Sequence, residues 1–195
     1  MLFPAETNDP QNYYWFQHGF SNEELVKIYN DVDTIPFQDA TVIGNADPEA
    51  IKQVRSSSIK WIPKTPQWNW LYEKLMQMAK EANDSLWKFD LISVDESIQY
   101  TEYYDTAEGH YDWHQDIGHG NASKRKVSIT VQLSEADDYE GGDLEMWQGG
   151  KAVQVAPRGA GVTFIFPSYM MHRVTKVTKG TRRSFVLWVG GQHYR

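Results

Sequence analysis

The interpretation of this chain depends on the segment Gly109-His110-Tyr111-Asp112-Trp113-His114-Gln115-Asp116. Within it, His114 and Asp116 stand two positions apart. In an extended segment such residues project to the same side, so an imidazole nitrogen and a carboxylate oxygen can reach one metal ion. A His-x-Asp pair on its own is common, and it indicates a metal site only if the rest of the chain supplies a further ligand.

A third ligand candidate, His172, follows an apolar run that ends in Phe166-Pro167-Ser168 and is typical of a buried strand closed by a turn. A rigid strand end can aim a polar side chain at a site. Two imidazoles and one carboxylate occupy one face of an octahedron and leave positions open for reagents, as in non-haem iron oxygenases. The alternative is three ordinary polar residues at an unremarkable spacing. We predict that His114, Asp116 and His172 are the catalytic metal ligands, whereas His119 is not a ligand.

Arg182 and Ser184 form a second pair at i and i+2, at the start of an apolar strand. A guanidinium and a hydroxyl on one strand face could hold a carboxylate. The alternative is a solvated basic strand end shared with Arg183. Because side chains alternate along a strand, we expect Arg182 and Arg183 to face opposite sides.

Composition restricts the classes of function. The chain has 195 residues, with 19 Lys and Arg against 26 Asp and Glu, which gives a formal net charge of −7. This balance disfavours the counterion-release binding used by most nucleic-acid proteins. There is no cysteine, so zinc-thiolate sites, iron–sulfur clusters and intramolecular disulfides are excluded. Any metal must bind to nitrogen and oxygen ligands.

The N-terminal segment lacks a basic region followed by an apolar run, and the chain has no stretch of 18 consecutive apolar residues. We therefore expect a cytoplasmic protein without membrane partners. Ser21 and Glu24 match a capping box and predict a helix over 22–31. Thr65 as cap and Pro66 at the first helical position predict a second helix. Gly44–Pro48 is loop-like, and residues 55–62 suit a strand.

From about residue 92 the pattern changes to short β-rich runs separated by Gly, Asp and Pro, which is typical of a sandwich or jelly roll. We predict one α+β domain over 1–195, with a helical buttress region over 1–91 and a β-rich core, a sandwich or a jelly roll, over 92–190. The predicted strands are Ser97–Tyr104, Val127–Leu133, Asp143–Trp147, Ala152–Val155, Val162–Phe166, Met171–Val177 and Arg183–Val189.

The order and spacing of these segments resemble the prolyl-4-hydroxylase-like branch of the 2-oxoglutarate/Fe(II)-dependent oxygenases. The resemblance runs from about Ser97 to Gly190 and includes the segments 99–104, 109–116, 127–134, 139–144, 166–168, 172–174 and 180–182. It implies a double-stranded β-helix with N-terminal helices packed on the larger sheet. It also implies that Fe(II), 2-oxoglutarate and O2 are used, with ascorbate as a further candidate cofactor.

By the same resemblance, Arg182 pairs with the distal carboxylate of 2-oxoglutarate, Ser184 assists, and Tyr104 hydrogen-bonds the cosubstrate, with its neighbour Tyr103 as the alternative. Family members often carry a tyrosine on the strand that here contains Val131 and Gln132, so this part of the pocket departs from the family pattern.

The implied reaction is hydroxylation of a substrate C–H bond, and the branch of the family favours a prolyl residue in a peptide or protein. A free amino acid or other small molecule is the enzymatic alternative, and nucleic-acid demethylation ranks third because of the acidic charge. A non-catalytic metal-binding module of the same fold is the alternative from a different class.

Overall fold

A computed structural model describes residues 11–39, 47–150 and 152–193. Its helices are α1 (Asn22–Val32), α2 (Pro48–Val54) and α3 (Asn69–Ser85). No helix among these residues has the length and apolar character needed to cross a membrane. The strands form two antiparallel sheets that face each other.

The larger sheet has the order β1-β12-β8-β14-β6-β4-β2, and two short strands, β5 and β9, pair with β14. Its strands are β1 (Tyr14–Phe16), β2 (Gln38–Asp39), β4 (Ser58–Ile62), β5 (Leu91–Ser93), β6 (Ile98–Tyr104), β8 (Arg125–Gln132), β9 (Tyr139–Gly141), β12 (Thr163–Pro167) and β14 (Val177–Gly191). The smaller sheet has the order β11-β10-β13-β7-β3. It consists of β3 (Arg55–Ser56), β7 (His110–His114), β10 (Leu144–Trp147), β11 (Val153–Val155) and β13 (His172–Val174).

The helices α1 and α3 cover the outer face of the larger sheet. Leu75 and other apolar residues of α3 pack in one cluster with Ile129 of β8 and Phe185 of β14. The capping box of α1 is confirmed, because the Ser21 hydroxyl accepts from the backbone N–H of Glu24 while the Glu24 carboxylate accepts from that of Ser21. The N-terminal helices therefore buttress the larger sheet.

Strand β8 shows how the larger sheet separates this core from the interior between the sheets. All of its residues are buried, although apolar and polar side chains alternate along it. Ile129 and its apolar neighbours face the helices, whereas Ser128, Thr130 and Gln132 occupy the opposite face. A strand that is buried on both faces, with polar groups on one of them, is expected where a sheet wall lines a polar cavity. The architecture is a jelly roll, the double-stranded β-helix that the sequence predicts.

Several predicted elements differ from the structure. The segment 55–62 forms two strands that belong to different sheets, and Met171–Val177 is divided between β13 and β14. Thr65 makes no side-chain capping bond; a 3₁₀ turn at Pro66–Trp68 leads into α3. The predicted loop Gly44–Pro48 lies mostly outside the described residues. The additional elements are α2, β1, β2, β5, β7 and β9. They are short, so hydrophobic periodicity gives little signal for them.

The contact between α3 and the larger sheet predicts a clear contrast in stability. Leu75 is completely buried, so Leu75→Ala should lower the free energy of unfolding by about 2–5 kcal/mol because it leaves a cavity. Val26 on α1 is 60% exposed, and Val26→Ala should change it by less than about 0.5 kcal/mol. Urea unfolding followed by circular dichroism measures both. Equal losses would contradict this packing of α3.

Candidate metal centre and cosubstrate cavity

A cavity of about 530 Å³ lies between the two sheets. The three predicted ligands line it together with residues of β6 and β14 from the larger sheet. Its walls include Arg55, Gln99, Tyr103, Tyr111, Arg125, Arg182, Ser184 and Trp188. The cavity therefore contains both groups of residues that the sequence singles out.

His114 and His172 come from neighbouring strands, because they are register partners in the β7–β13 pair. Their ring centroids are 4.1 Å apart. The Nδ1 atom of His114 lies 2.7 Å from the carbonyl oxygen of Asp112, and that of His172 lies 2.8 Å from the carbonyl oxygen of Met170. A carbonyl oxygen can only accept, so Nδ1 carries a proton in both rings and Nε2 is the atom that each ring can offer to a metal ion.

Asp116 completes the cluster. One carboxylate oxygen lies 3.9 Å from Nε2 of His114 and the other lies 3.6 Å from Nε2 of His172. The ligand atoms of these three residues all lie within 4.8 Å of one another, and no other such group of three occurs in the part of the chain that the structure describes. Two unprotonated imidazole nitrogens and one carboxylate fit Fe(II) with coordination positions left open.

The protonation states suit metal binding. Burial lowers the pKa of His114 to about 3, with a contribution from His172, so the imidazole is neutral at physiological pH. Burial raises the pKa of the Asp116 carboxyl, but His172, His114 and the Ser128 hydroxyl outweigh this effect and hold that pKa below its ordinary value. A neutral imidazole and an ionised carboxylate are the forms that bind a cation.

Arg182 points into the same cavity and is 1% exposed. Its guanidinium donates to the Ser184 hydroxyl at 3.3 Å and to the Gln132 side-chain oxygen at 3.0 Å, and it lies over the Tyr103 ring. These partners are neutral. No carboxylate pairs with Arg182 among the described residues. The stem of Arg182 packs against Gly142, where an added Cβ would lie 3.1 Å from its Cδ, which gives one physical reason for the Gly141-Gly142 pair.

Arg183 faces the opposite side of β14, as the alternation of side chains predicts. Its Nε donates to the Glu102 carboxylate at 3.1 Å, in the interface between the larger sheet and the helices. The two neighbouring arginines thus have different environments: Arg183 has an anionic partner in the protein, and Arg182 lies in the cavity without one in the described chain.

The structure corrects the prediction for Tyr104. Its hydroxyl donates to Glu102 on the helix side of β6, and the residue does not line the cavity. Tyr103 lines it instead. The turn at Asp105–Ala107 ends with Glu108 in a left-handed conformation, φ 45°, before β7 begins. Spacing along the sequence cannot show which of two adjacent tyrosines faces inward when an irregular turn separates the strand from the His-x-Asp segment.

Sequence reasoning misses Arg55 as a cavity residue and Gln132 as a hydrogen-bond partner of Arg182. In the sequence Gln132 stands out only as a departure from the family pattern, yet its side chain orients Arg182. Arg55 is 6% exposed, donates to Gln99 at 2.8 Å and lies over the ring of Tyr111, which stacks on His114. The one sequence signal for Arg55 is its position at the start of a predicted strand.

Comparison with known proteins identifies a family and several similar chains. A family model described as the 2OG-Fe(II) oxygenase superfamily matches residues 98–190. A PKHD-type hydroxylase of a Picosynechococcus species is 42% identical over 79 residues, which cover 40% of this chain and 36% of that protein. A PKHD-type hydroxylase of Idiomarina loihiensis is 36% identical over 93 residues, covering 47% and 38% respectively. The chain thus matches a little over a third of the length of these relatives.

Solved structures show the same fold over nearly the whole chain. A prolyl-4-hydroxylase of Pseudomonas putida has a TM-score of 0.71 at 19% identity and covers 93% of both chains. A prolyl hydroxylase from Trichoplax adhaerens, solved with a peptide fragment of the oxygen degradation domain of hypoxia inducible factor, has a TM-score of 0.75 at 16% identity. That match covers 92% of this chain and 84% of the other.

The fold and the His-Asp-His cluster define a jelly-roll protein with a candidate non-haem metal centre. The comparisons confirm the resemblance to the 2-oxoglutarate/Fe(II) oxygenases over residues 98–190, and the solved structures with the same fold include prolyl hydroxylases. The roles of the individual residues stay predictions.

The cluster predicts the effect of removing each ligand. His114→Ala, Asp116→Ala and His172→Ala should each lower the affinity for Mn2+ by at least about 100-fold, because each removes one of three protein ligands, while the fold is retained. Isothermal titration of the metal-free variants measures this. His119 is exposed and outside the cluster, so His119→Ala should bind as the unaltered protein does. Unchanged binding by His172→Ala would refute the assignment.

Proposed function

We propose that this protein is an Fe(II)- and 2-oxoglutarate-dependent dioxygenase that hydroxylates a C–H bond, with a prolyl residue of a peptide or protein as the favoured substrate. Fe(II), 2-oxoglutarate and O2 are its reagents, and an ascorbate requirement and a cytoplasmic location stay predictions from the sequence. The proposal includes the interpretation of residues 1–195 as one domain.

The observation that carries the proposal is the buried guanidinium of Arg182 in the cavity that also holds the metal cluster. Burying a cation without an anionic partner costs several kcal/mol, so a site of this kind is suited to an anionic ligand. A planar guanidinium matches a carboxylate in a bidentate pair. The hydroxyl of Ser184 lies beside it. A ligand that places a carboxylate at Arg182 and binds the metal through its other end would fill both the anion site and the metal site of the cavity.

When bound at His114, Asp116 and His172, Fe(II) would supply the redox chemistry of the reaction. In that reaction, one oxygen atom of O2 oxidises 2-oxoglutarate to succinate and CO2, and the other oxygen atom is inserted into a substrate C–H bond. The protein's own residues bind and orient. The two imidazoles and the carboxylate hold the cation, Arg182 and Ser184 set the position of the cosubstrate, and the apolar core between the sheets excludes water from one side of the cavity.

Two observations support a peptidyl-proline substrate. The solved structures that share the fold include prolyl hydroxylases, one of them solved with a peptide. In addition, the indole rings of Trp61 and Trp188 line the cavity with ring centroids 6.5 Å apart. Aromatic faces of this kind suit an apolar pyrrolidine ring.

Arg55 favours a second candidate, a small substrate that carries a carboxylate, such as a free amino acid. This buried guanidinium lines the cavity and lies over the ring of Tyr111, next to a predicted metal ligand. It could receive a substrate carboxylate while Arg182 holds 2-oxoglutarate.

A turnover assay separates the two candidates. Purified protein is incubated with Fe(II), 2-oxoglutarate and O2 and, in separate reactions, with proline-containing peptides or free amino acids. We expect succinate together with a mass gain of about 16 Da on a peptide. A gain on a free amino acid alone would select the second candidate. No succinate with any substrate, or equal succinate from His172→Ala, would refute the oxygenase proposal.

The two arginines give a matched pair of variants. Removing one partner of a buried ion pair costs roughly 2–5 kcal/mol, so Arg182→Ala should weaken 2-oxoglutarate binding by roughly 30-fold to several-thousand-fold, with metal affinity retained. Arg183→Ala removes the partner of Glu102 and should lower the stability while leaving 2-oxoglutarate affinity unchanged. Titration of the Mn2+-loaded protein with 2-oxoglutarate measures the affinities. The reverse result would show that the strand register is wrong.

A further inference from the structure

Asp116 differs from the other two members of the cluster in how its backbone is held. His114 and His172 lie within paired strands, whereas β7 ends at His114 and Asp116 lies in the bend that follows. Two hydrogen bonds fasten this bend. The N–H of Asp116 donates to the carbonyl oxygen of Ser168 at 2.9 Å, and Arg125 donates to the carbonyl oxygen of Asp116 at 3.0 Å. These bonds fix the backbone and leave the carboxylate free to rotate.

The carboxylate itself is held by a serine. The Ser128 Oγ lies 2.6 Å from Oδ2 of Asp116, and the Ser168 Oγ lies 2.9 Å from that of Ser128. An ionised carboxylate only accepts, so Ser128 must donate its single hydroxyl proton to Asp116. Ser128 can then only accept from Ser168. The direction of the chain is therefore fixed, from Ser168 to Ser128 to Asp116.

Both serines are completely buried. Ser128 lies in β8, and Ser168 directly follows β12. Water therefore has no access with which to replace either hydroxyl. A hydrogen bond to a charged acceptor is about twice as strong as one between neutral groups. With Oδ2 engaged in this way, Oδ1 accepts no hydrogen bond from the described residues and lies 3.9 Å from Nε2 of His114.

We propose that the Ser168–Ser128 hydroxyl chain positions the Asp116 carboxylate so that Oδ1 is presented to the metal ion. This inference rests on the metal site of the proposed function. It makes Ser128 and Ser168 positioning residues that act through Asp116. Strand pairing holds the two histidines in place. Asp116, in the bend after β7, is instead held by side chains of the larger sheet.

The test is the affinity of the metal-free protein for Co2+, measured without O2 by competition with a chromophoric chelator. Groups that orient a metal ligand typically contribute about 10–100-fold to metal affinity. Ser128→Ala should therefore weaken Co2+ binding by about 10–100-fold, and Ser168→Ala should weaken it less. Ser128→Thr keeps the hydroxyl and should restore most of the affinity. The visible spectrum of bound Co2+ should change in Ser128→Ala and return in Ser128→Thr.

Ser134 supplies the control. It is also buried, and its hydroxyl donates to the carbonyl oxygen of Thr181 at 3.0 Å, away from the cluster. Ser134→Ala should lower stability and leave Co2+ affinity unchanged. If folded Ser128→Ala and Ser168→Ala bind Co2+ as tightly as the unaltered protein, the two serines only fill the interior and the inference is overturned. Failure of the unaltered protein to bind Co2+ would instead refute the metal site itself.

Discussion

The Asp116 carboxylate is 7% exposed, and a buried charge of this kind costs several kcal/mol unless hydrogen bonds and opposite charges compensate for it. The Ser128 hydroxyl on β8 donates to the carboxylate, and the nearby guanidinium of Arg125, which donates to the backbone carbonyl of Asp116, adds positive charge. The backbone N–H of Asp116 is satisfied by the carbonyl oxygen of Ser168 after β12. Because Asp116 follows β7 of the smaller sheet and these groups lie on or just after strands of the larger sheet, the carboxylate is stabilised only when the two sheets are packed together. A bound cation between Asp116 and the two imidazoles would supply the remaining compensation.

Side-chain alternation in the larger sheet gives the cavity its chemistry. In β14, Arg182 and Ser184 face the cavity, whereas Arg183 pairs with Glu102 on the helix side. In β6, the same alternation turns Tyr103 inward and Tyr104 outward. A shift of one residue in β6 would turn Glu102 into the cavity, and the same shift in β14 would turn Arg183 inward and remove Arg182 from the cavity. The apolar contacts between α3 and the outer face of the sheet thus help to fix the register on which the anion site depends.

Local patterns in the sequence, such as the capping box at Ser21 and the regularly spaced β runs, predict the first helix and the β-rich core, and the family resemblance adds the jelly roll with its buttressing helices. The sequence also brings together His114, Asp116, His172 and Arg182 as candidates, since their residue types and order are informative. Other features of the site depend on which strands become neighbours. They are the inward position of Tyr103, the roles of Ser128 and Gln132, and the placement of Arg55. That information is non-local, and turns such as Asp105–Ala107 interrupt the alternation from which it would have to be inferred.

The most direct measurement is a crystal structure of the protein soaked anaerobically with Mn2+ and 2-oxoglutarate, with anomalous scattering used to locate the metal. We expect one strong anomalous peak between the Nε2 atoms of His114 and His172 and the carboxylate of Asp116. We also expect electron density for 2-oxoglutarate that ends in a carboxylate at Arg182. A metal peak elsewhere, or a cosubstrate carboxylate at Arg55 with Arg182 unoccupied, would contradict the proposed site.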